Sequence, residues 1–330
     1  MDDRGRNGTR RRVLERLFEA DGWCSGEELS RELGVSRAAV GKHVRALRAA
    51  GYVIEAVTRR GYRLDRTTAP FEAAEVLRGL ATEVFGKVGL HWHESTDSTN
   101  RDAVALAVGG ACEGTVVMAA QQLAGRGRTG RPWVSPQGGV YVSLVLRPRL
   151  SPQAAPLVTL MTAVAAAEAV EAVTGLMPEV KWPNDLLMAG LKVCGNLTEV
   201  GLVADMVDWV VTGVGVNVST PAEALVDAGV AATSLQTECG RPVARADVAR
   251  AFLERAEHWY GALREGDTGA VITRWKELSD IVGRHLRVRH GDELVEGRVA
   301  DMTPEGWLCI LAGNGTLHRL HAGDVIDSRV

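Results

Sequence analysis

"QLAGRGRTGRPW" runs from Gln122 to Trp133. Glycines and arginines dominate Gly125–Arg131, and no acidic residue interrupts them. Glycine lets backbone N–H groups approach an anion, and arginine makes charge-assisted bonds to carboxylate or phosphate. Left bare, two cations ~4 Å apart repel by about 1 kcal/mol even in bulk water. The segment therefore predicts a loop that is mobile alone and ordered by an anionic ligand. The bland alternative is a basic surface turn. It is not a P-loop, because no Gly-Lys-Ser/Thr opens a helix. Apolar strands flank it, "GTVVMAAQQ" (114–122) and "GVYVSLVLRP" (139–148), so the loop can fold over their ends.

Further along, "KWPNDLLMAGLKVCGNLTEV" (181–200) reads as strand, turn at Ala189-Gly190, strand. Lys181, Asn184 and Asp185 are polar groups on an apolar framework, and Lys192 begins the returning strand. Asp185 is a candidate Mg2+ ligand, since that ion takes one or two carboxylates plus phosphate oxygens. Alternatively, Asn184 and Asp185 only cap a turn. "VVTGVGVNV" (210–218) is an apolar strand whose Gly213 and Gly215 admit a close ligand or mark a bulge. Its Asn217 more often satisfies backbone than metal. Upstream, "FEAAEVLRGLATEVFG" (71–86) is helix-like, and residues 88–106 read as strand, turn and a helix capped by Ser98 or Thr99.

The 330 residues are 46% hydrophobic and 24% charged, which suits a globular protein of two or three domains. The formal net charge of −3 hides an uneven distribution: a basic head, residues 1–66, precedes an acidic body. Five cysteines without a C-x-x-C pair argue against a disulfide framework or zinc site and for a reducing cytoplasm. The polar, Arg-rich start lacks the apolar core of a signal peptide. The longest apolar stretch, near Leu157–Ala167, meets Glu168 and Glu171 before the ~20 residues a membrane span needs, so it predicts a buried helix and no membrane partner.

In the head, Val13, Leu14, Leu17 and Phe18 share one helical face. Ser25 and Glu28 make a capping-box pattern, Gly34 a turn, and Ser36 a second cap. In the helix that follows, Val40, Val44 and Leu47 face inward, while Arg37, Lys42, Arg45 and Arg48 lie outside. A strand–turn–strand with Arg59 and Arg60 at its tip completes the spacing of a winged helix-turn-helix. The candidate DNA contacts are Ser36, Arg37, Lys42, Arg45, Arg48, Arg59 and Arg60. The rival is a solvated basic helix in an interaction domain. "TTAP" (67–70) reads as a linker.

Taken together, "DSTN" (97–100), "QLAGRGRTGRPW", "KWPNDL" (181–186), "LKVCGNLTE" (191–199), "GVGVN" (213–217) and "ATSL" (232–235) resemble the biotin protein ligase family. "SRAAVGKHVRALRAAGY" (36–52) resembles the DNA-binding head of its bifunctional ligase and biotin operon repressor members. Residues 282–325 resemble the family's small SH3-like barrel, and their short strands and Gly/Asn turns read as all-β independently. The resemblance implies an α+β multidomain chain: a winged helix-turn-helix at 1–66, a class II synthetase-like mixed α/β ligase domain at 67–278, and an SH3-like β-barrel at 279–330.

It also implies that biotin and ATP, with Mg2+, form biotinyl-5′-AMP, and that biotin then passes to a lysine of a biotin carboxyl carrier protein. On that resemblance Ser98, Thr99, Asn100, Gln122, Gly125, Arg126, Arg128, Lys192 and Gly195 take biotin. Arg128, Arg131, Trp133, Lys181, Asn184 and Asn217 take ATP or adenylate, and Asp185 with Asn217 takes the metal. Lys192, Arg126 and Arg128 are the catalytic group. Operator DNA and a ligand-coupled homodimer are the remaining expected partners. Asn196 stands where the family's strand is expected to be apolar, and inward-pointing it needs a hydrogen-bond partner. Two rival readings keep the fold: a non-catalytic biotin-sensing repressor, and a ligase for another acyl cofactor such as lipoate.

Overall fold

The computed structural model describes residues 3–20, 22–226 and 231–329. It divides into two compact units, one ending at Glu75 and the other beginning at Val76.

The first unit contains α1 (Asp3–Glu19), α2 (Gly26–Leu33), α3 (Arg37–Ala49) and the antiparallel hairpin β1 (Ile54–Val57) and β2 (Gly61–Leu64). Val13, Leu17, Leu29, Val40, Val44 and Leu47 form its core, as the helical spacing predicts. Each such buried side chain contributes about 1.5–3 kcal/mol, so this small core depends on every one. Ser25 Oγ accepts from Glu28 N at 3.0 Å and Ser36 Oγ from Ala39 N at 3.2 Å, which fixes both helix starts. The expected linker is folded onto the head. Asp65 Oδ1 accepts from Thr67 N, Pro70 packs beside Gly51, and the Tyr52 hydroxyl donates to the Glu75 carboxylate. These contacts carry the compact unit past Arg66 to Glu75.

Residues 71–86 contain only one short helix, α4 (Ala73–Leu77). Gly79 and Gly86 have positive φ and stop the helix expected there. The freed backbone is held by carboxylates: Glu254 accepts from Ala81 N, and Glu257 from the N–H groups of Glu83, Val84 and Phe85.

The body is a seven-stranded mixed sheet. Its strands are β3 (Leu90–His93), β4 (Val116–Ala119), β5 (Gly139–Leu146), β6 (Glu179–Lys181), β7 (Asp185–Met188), β8 (Leu191–Val203) and β9 (Met206–Asn217), in the order β3-β4-β5-β9-β8-β7-β6. Only β3 and β4 run parallel. α5 (Thr99–Val108) packs on one face. The other face carries α6 (Pro156–Thr174) and α9 (Arg245–Arg264), with α10 (Thr268–Ser279) beside them; α7 (Ala222–Val226) and α8 (Leu235–Cys239) are short connectors before α9. The apolar segment Pro152–Thr174 is longer than the sequence stretch suggests and has the length and composition to cross a membrane. Most of it is buried in the fold, which accounts for a helix apolar on every side.

The tail forms β10 (His285–His290), β11 (Glu293–Met302), β12 (Leu308–Ala312), β13 (Leu317–Leu320) and β14 (Asp324–Arg329), an all-antiparallel sheet in the order β13-β12-β11-β10-β14. Leu286, Val288, Val295, Val299, Leu308 and Ile310 fill it. It is fastened to the body by Trp307 Nε1, which donates to Gln153 O at 2.9 Å, and by the Lys276–Asp301 ion pair at 2.9 Å.

Candidate active site

A cavity of about 250 Å3 opens on the α5 face of the sheet, roofed by the segment between β4 and β5. Gly195 of β8 pairs with both Asp185 of β7 and Gly215 of β9, so the three lie side by side. A Cβ on Gly215 would collide with the Trp133 ring, which explains glycine there: the indole fills the space above the strand. Gly213 likewise leaves room for Asn100. The ladder between β7 and β8 slips at Val193, so Leu186 pairs with Cys194 but Leu187 with Lys192. Without that bulge, residues 192 and 195 would point to opposite faces; with it, both face the cavity.

One wall is neutral and polar. Gln122 Oε1 accepts from Thr99 N at 2.8 Å and from the Thr99 hydroxyl at 3.1 Å. Gln122, from the loop, therefore caps α5. Ser98 holds the cap position but its hydroxyl makes no cap bond. Gln122 Nε2 donates to Ser135 Oγ at 2.8 Å, and Ser143 Oγ donates to Asn100 Oδ1 at 2.7 Å. Asn100 Nδ2 reaches Glu199 Oε2 at 2.9 Å. Each interior polar group is thus tied to another, which fixes its direction.

The opposite end is charged. Lys192 Nζ lies 2.8 Å from Asp185 Oδ1 and 5.0 Å from the centre of the Trp133 ring. Arg128 Nη1 donates to Gly323 O at 3.0 Å, and Asn184 Oδ1 is 3.5 Å away. The counter-charge missing from the loop comes from the tail: Asp324 lies 2.8 Å from Arg131 and 3.8 Å from Arg128. The bare-cation picture is therefore corrected, because a carboxylate reaching both arginines offsets their repulsion. Burial lowers the Arg128 pKa, opposed by Asp324 and Asp185. Cys194, a buried residue of β8 itself, has its thiol pushed up by burial and then by Asp185, so it is an inert neighbour.

Asn217 Nδ2 donates to Thr233 O at 3.1 Å, while its Oδ1 is buried without a partner. Asn196 turns away from the cavity floor toward α6: Nδ2 donates to Thr159 O at 3.4 Å, and Oδ1 is buried without a partner.

Two expected residues are not part of the lining. Lys181 is exposed on the edge strand β6. A Cβ on Gly125 would strike Trp133 O and Ser135 Oγ, so its close approach is to the loop's own chain rather than to the cavity. The other expected residues of the body line the cavity. Asp324 and the Ser135–Ser143 relay were missed. A loop of arginines without an acid nearby signals a distant counter-charge, although not its position.

In the first unit Arg37, Lys42, Arg45, Arg59 and Arg60 are exposed around α3 and the hairpin tip. Ser36 is exposed too, but its hydroxyl is used as a cap. Arg48 is exposed as well, and its Nε donates to Ile54 O at 2.8 Å, so its guanidinium also ties α3 to β1.

Residues 92–217 match the model of the Biotin/lipoate A/B protein ligase family, and residues 9–63 that of an HTH domain. The chain is 36% identical to the bifunctional ligase/repressor BirA of Bacillus subtilis (strain 168), over 96% of this chain and 98% of that one. It is 30% identical to BirA of Escherichia coli (strain K12), over 91% and 92%. The biotin protein ligase of Aquifex aeolicus in complex with biotin and ATP superposes with a TM-score of 0.58 at 26% identity, covering 73% of this chain and 98% of that one.

Proposed function

The chain belongs to the biotin/lipoate protein ligase family, in its bifunctional ligase and repressor branch, and from that premise we propose that it is a biotin–[biotin carboxyl carrier protein] ligase and a ligand-controlled repressor. The biotin carboxylate attacks the α-phosphate of ATP, releasing pyrophosphate and leaving biotinyl-5′-AMP. A carrier lysine then takes the biotinyl group and AMP departs.

The observation that carries this reading is a neutral polar wall and a cationic end within one small cavity. Ser98, Thr99, Asn100 and Gln122 suit the polar ring of biotin. Arg126, Arg128 and Lys192 suit its carboxylate, and the floor at Gly195 lets it lie close. Two anions must meet for the first step, and cations aimed at that point offset their repulsion. Arg131, Asn184 and Asn217 lie on the nucleotide side. Trp133 shields the mixed anhydride from water.

Mg2+ fits the charged end. Asp185 offers a carboxylate and Asn217 Oδ1 is a buried oxygen without a partner. Among the described residues no group of three or more His, Cys, Asp or Glu forms a protein cage. Such a sparse set suits a cation that arrives on phosphate oxygens, held by Asp185 and Asn217. When bound it neutralises phosphate charge as the carboxylate approaches.

The head, residues 1–66, is assigned operator DNA, residues 67–278 the ligase chemistry and 279–330 the SH3-like barrel that closes the loop. A homodimer formed when the site is filled couples the two activities, in the cytoplasm where the carrier protein is made. The test is exchange of labelled pyrophosphate into ATP with biotin and then with lipoate. Exchange with biotin alone supports the reading. Exchange with lipoate alone, or with neither, refutes it in favour of another acyl ligase or a non-catalytic sensor.

A further inference from the structure

The hairpin of the head carries a third, short rung. Cys24 N donates to Tyr62 O at 2.8 Å and Tyr62 N to Cys24 O at 2.8 Å, so the chain at Cys24 runs antiparallel beside β2. A Cβ on Gly61 would strike Cys24 O, which explains glycine at the start of β2. Strand alternation then sorts the side chains. Cys24, Ile54 and Leu64 are buried, whereas Trp23, Glu55 and Arg63 fall on the outer face. Trp23 is half-buried and lies outside the hydrophobic cluster of the head. Its neighbours are cations instead. The Arg63 guanidinium stands 5.2 Å from the centre of the ring and the Arg60 guanidinium 5.8 Å. These two cations differ in what else they hold. Arg63 Nη2 donates to both oxygens of Glu55 at 2.9 Å, so its charge is offset within the hairpin. Among the described residues no carboxylate pairs with Arg60. Arg60 N donates to Val57 O at 3.1 Å, which closes the tip between β1 and β2 and fixes where Arg60 starts.

We propose that Trp23 is a positioning residue for DNA binding: its ring seats the Arg60 guanidinium at the tip of the hairpin, in place to meet a backbone phosphate. The inference rests on the repressor reading above. A carboxylate could hold Arg60 as firmly, but it would offset the charge that attracts phosphate. An aromatic face attracts a cation through its quadrupole and leaves that charge whole. A long arginine side chain loses rotamer freedom when it docks. A ring that selects the docked rotamers beforehand removes part of that cost. Arg63, already paired with Glu55, packs against the same ring and serves the hairpin rather than DNA.

The test uses the full chain with biotin and ATP, and a labelled duplex that the wild-type chain selects from a random-sequence pool under those conditions. Trp23→Met keeps the apolar cover without a ring, and Trp23→Tyr keeps a ring. An exposed cation–ring contact corresponds to roughly a 2- to 5-fold change in affinity per head. Trp23→Met should bind more weakly by that factor, and Trp23→Tyr within about twofold of the parent. Arg60→Gln should weaken binding and lower the salt slope by about 0.9. Adding Trp23→Met to that variant should then cost nothing further. An equal cost of Trp23→Met in both backgrounds overturns the proposal, because neither a structural role nor a direct ring–DNA contact needs Arg60. Unchanged affinity in Trp23→Met overturns it too. If Trp23→Met does not fold, fluorotryptophan incorporation decides, since it weakens the ring quadrupole at nearly constant shape. Affinity should then fall in the parent and hold in Arg60→Gln, and equal effects in both overturn the proposal. Failure of the wild-type chain to select any duplex overturns the repressor reading, and this proposal with it.

Discussion

Arg131 Nη2 stands 2.8 Å from Asp324 Oδ2, so the loop between β4 and β5 is held by a carboxylate almost two hundred positions later in the chain. The second carboxylate oxygen lies 3.8 Å from Arg128.

Asp324→Asn removes that counter-charge and leaves the arginines to repel. Limited trypsin digestion of the ligand-free protein should then cut after Arg126 and Arg128 several-fold faster. Biotin with ATP should restore protection, because phosphate supplies the lost charge. Equal digestion rates for variant and parent would show that Asp324 does not hold the loop.

Lys192→Gln removes the cation that faces Asp185 at 2.8 Å. Pyrophosphate exchange should fall about 100- to 1,000-fold, the usual effect of deleting a group that stabilises transition-state charge. Asp185→Ala should also suppress exchange strongly, and added Mg2+ should not rescue it. Wild-type exchange in Asp185→Ala would remove this carboxylate from the phosphate end.

Gly215→Ala places a methyl group against the Trp133 indole. Overpacking of this kind costs about 1–3 kcal/mol. The ring should shift, visible as altered tryptophan fluorescence, and adenylate should escape faster in a filter-retention assay. Unaltered retention would mean that Trp133 is not the lid.

Arg48→Ala and Arg45→Ala should separate structure from DNA contact. Loss of Arg45, an exposed cation, should weaken operator binding and reduce the salt slope by about 0.9 without moving the melting temperature. Loss of Arg48 frees the Ile54 carbonyl, so the head should melt earlier with the slope unchanged. A reduced slope for Arg48→Ala would return that residue to the DNA interface.

Burial pushes the His43 imidazole below its ordinary value of 6.5, with Arg10 and Lys42 adding to the effect. Between the depressed folded value and 6.5 the unfolded chain binds more protons, so stability rises with pH across that window. The contribution is complete above 6.5 and is lost as pH falls through the folded value. Calorimetry between pH 7.5 and 5.5 should show the head transition falling, and His43→Gln should flatten the trend. A parallel trend in the variant would place the sensitivity elsewhere.

The sequence by itself determined most of the local elements and named most of the side chains that line the cavity. Val40, Val44 and Leu47 announced α3 because helical spacing selects one buried face. Gln122, Arg126, Arg128, Asp185 and Lys192 were legible because their motifs lie in short contiguous runs. The helix expected over 71–86 failed where positive-φ glycines and two carboxylates from α9 captured the backbone, which local propensity does not register.

Only the tertiary structure decided which of those groups meet. The slip at Val193 turned Lys192 onto the cavity face, Gln122 displaced Ser98 and Thr99 as the cap of α5, and Arg48 was taken by the wing. Asp324 reached the arginine loop only because the tail sheet folds against the body. The physical reason is one of range: backbone preference and side-chain periodicity act over a few residues, whereas charge pairing and strand register are settled by whatever packing brings near.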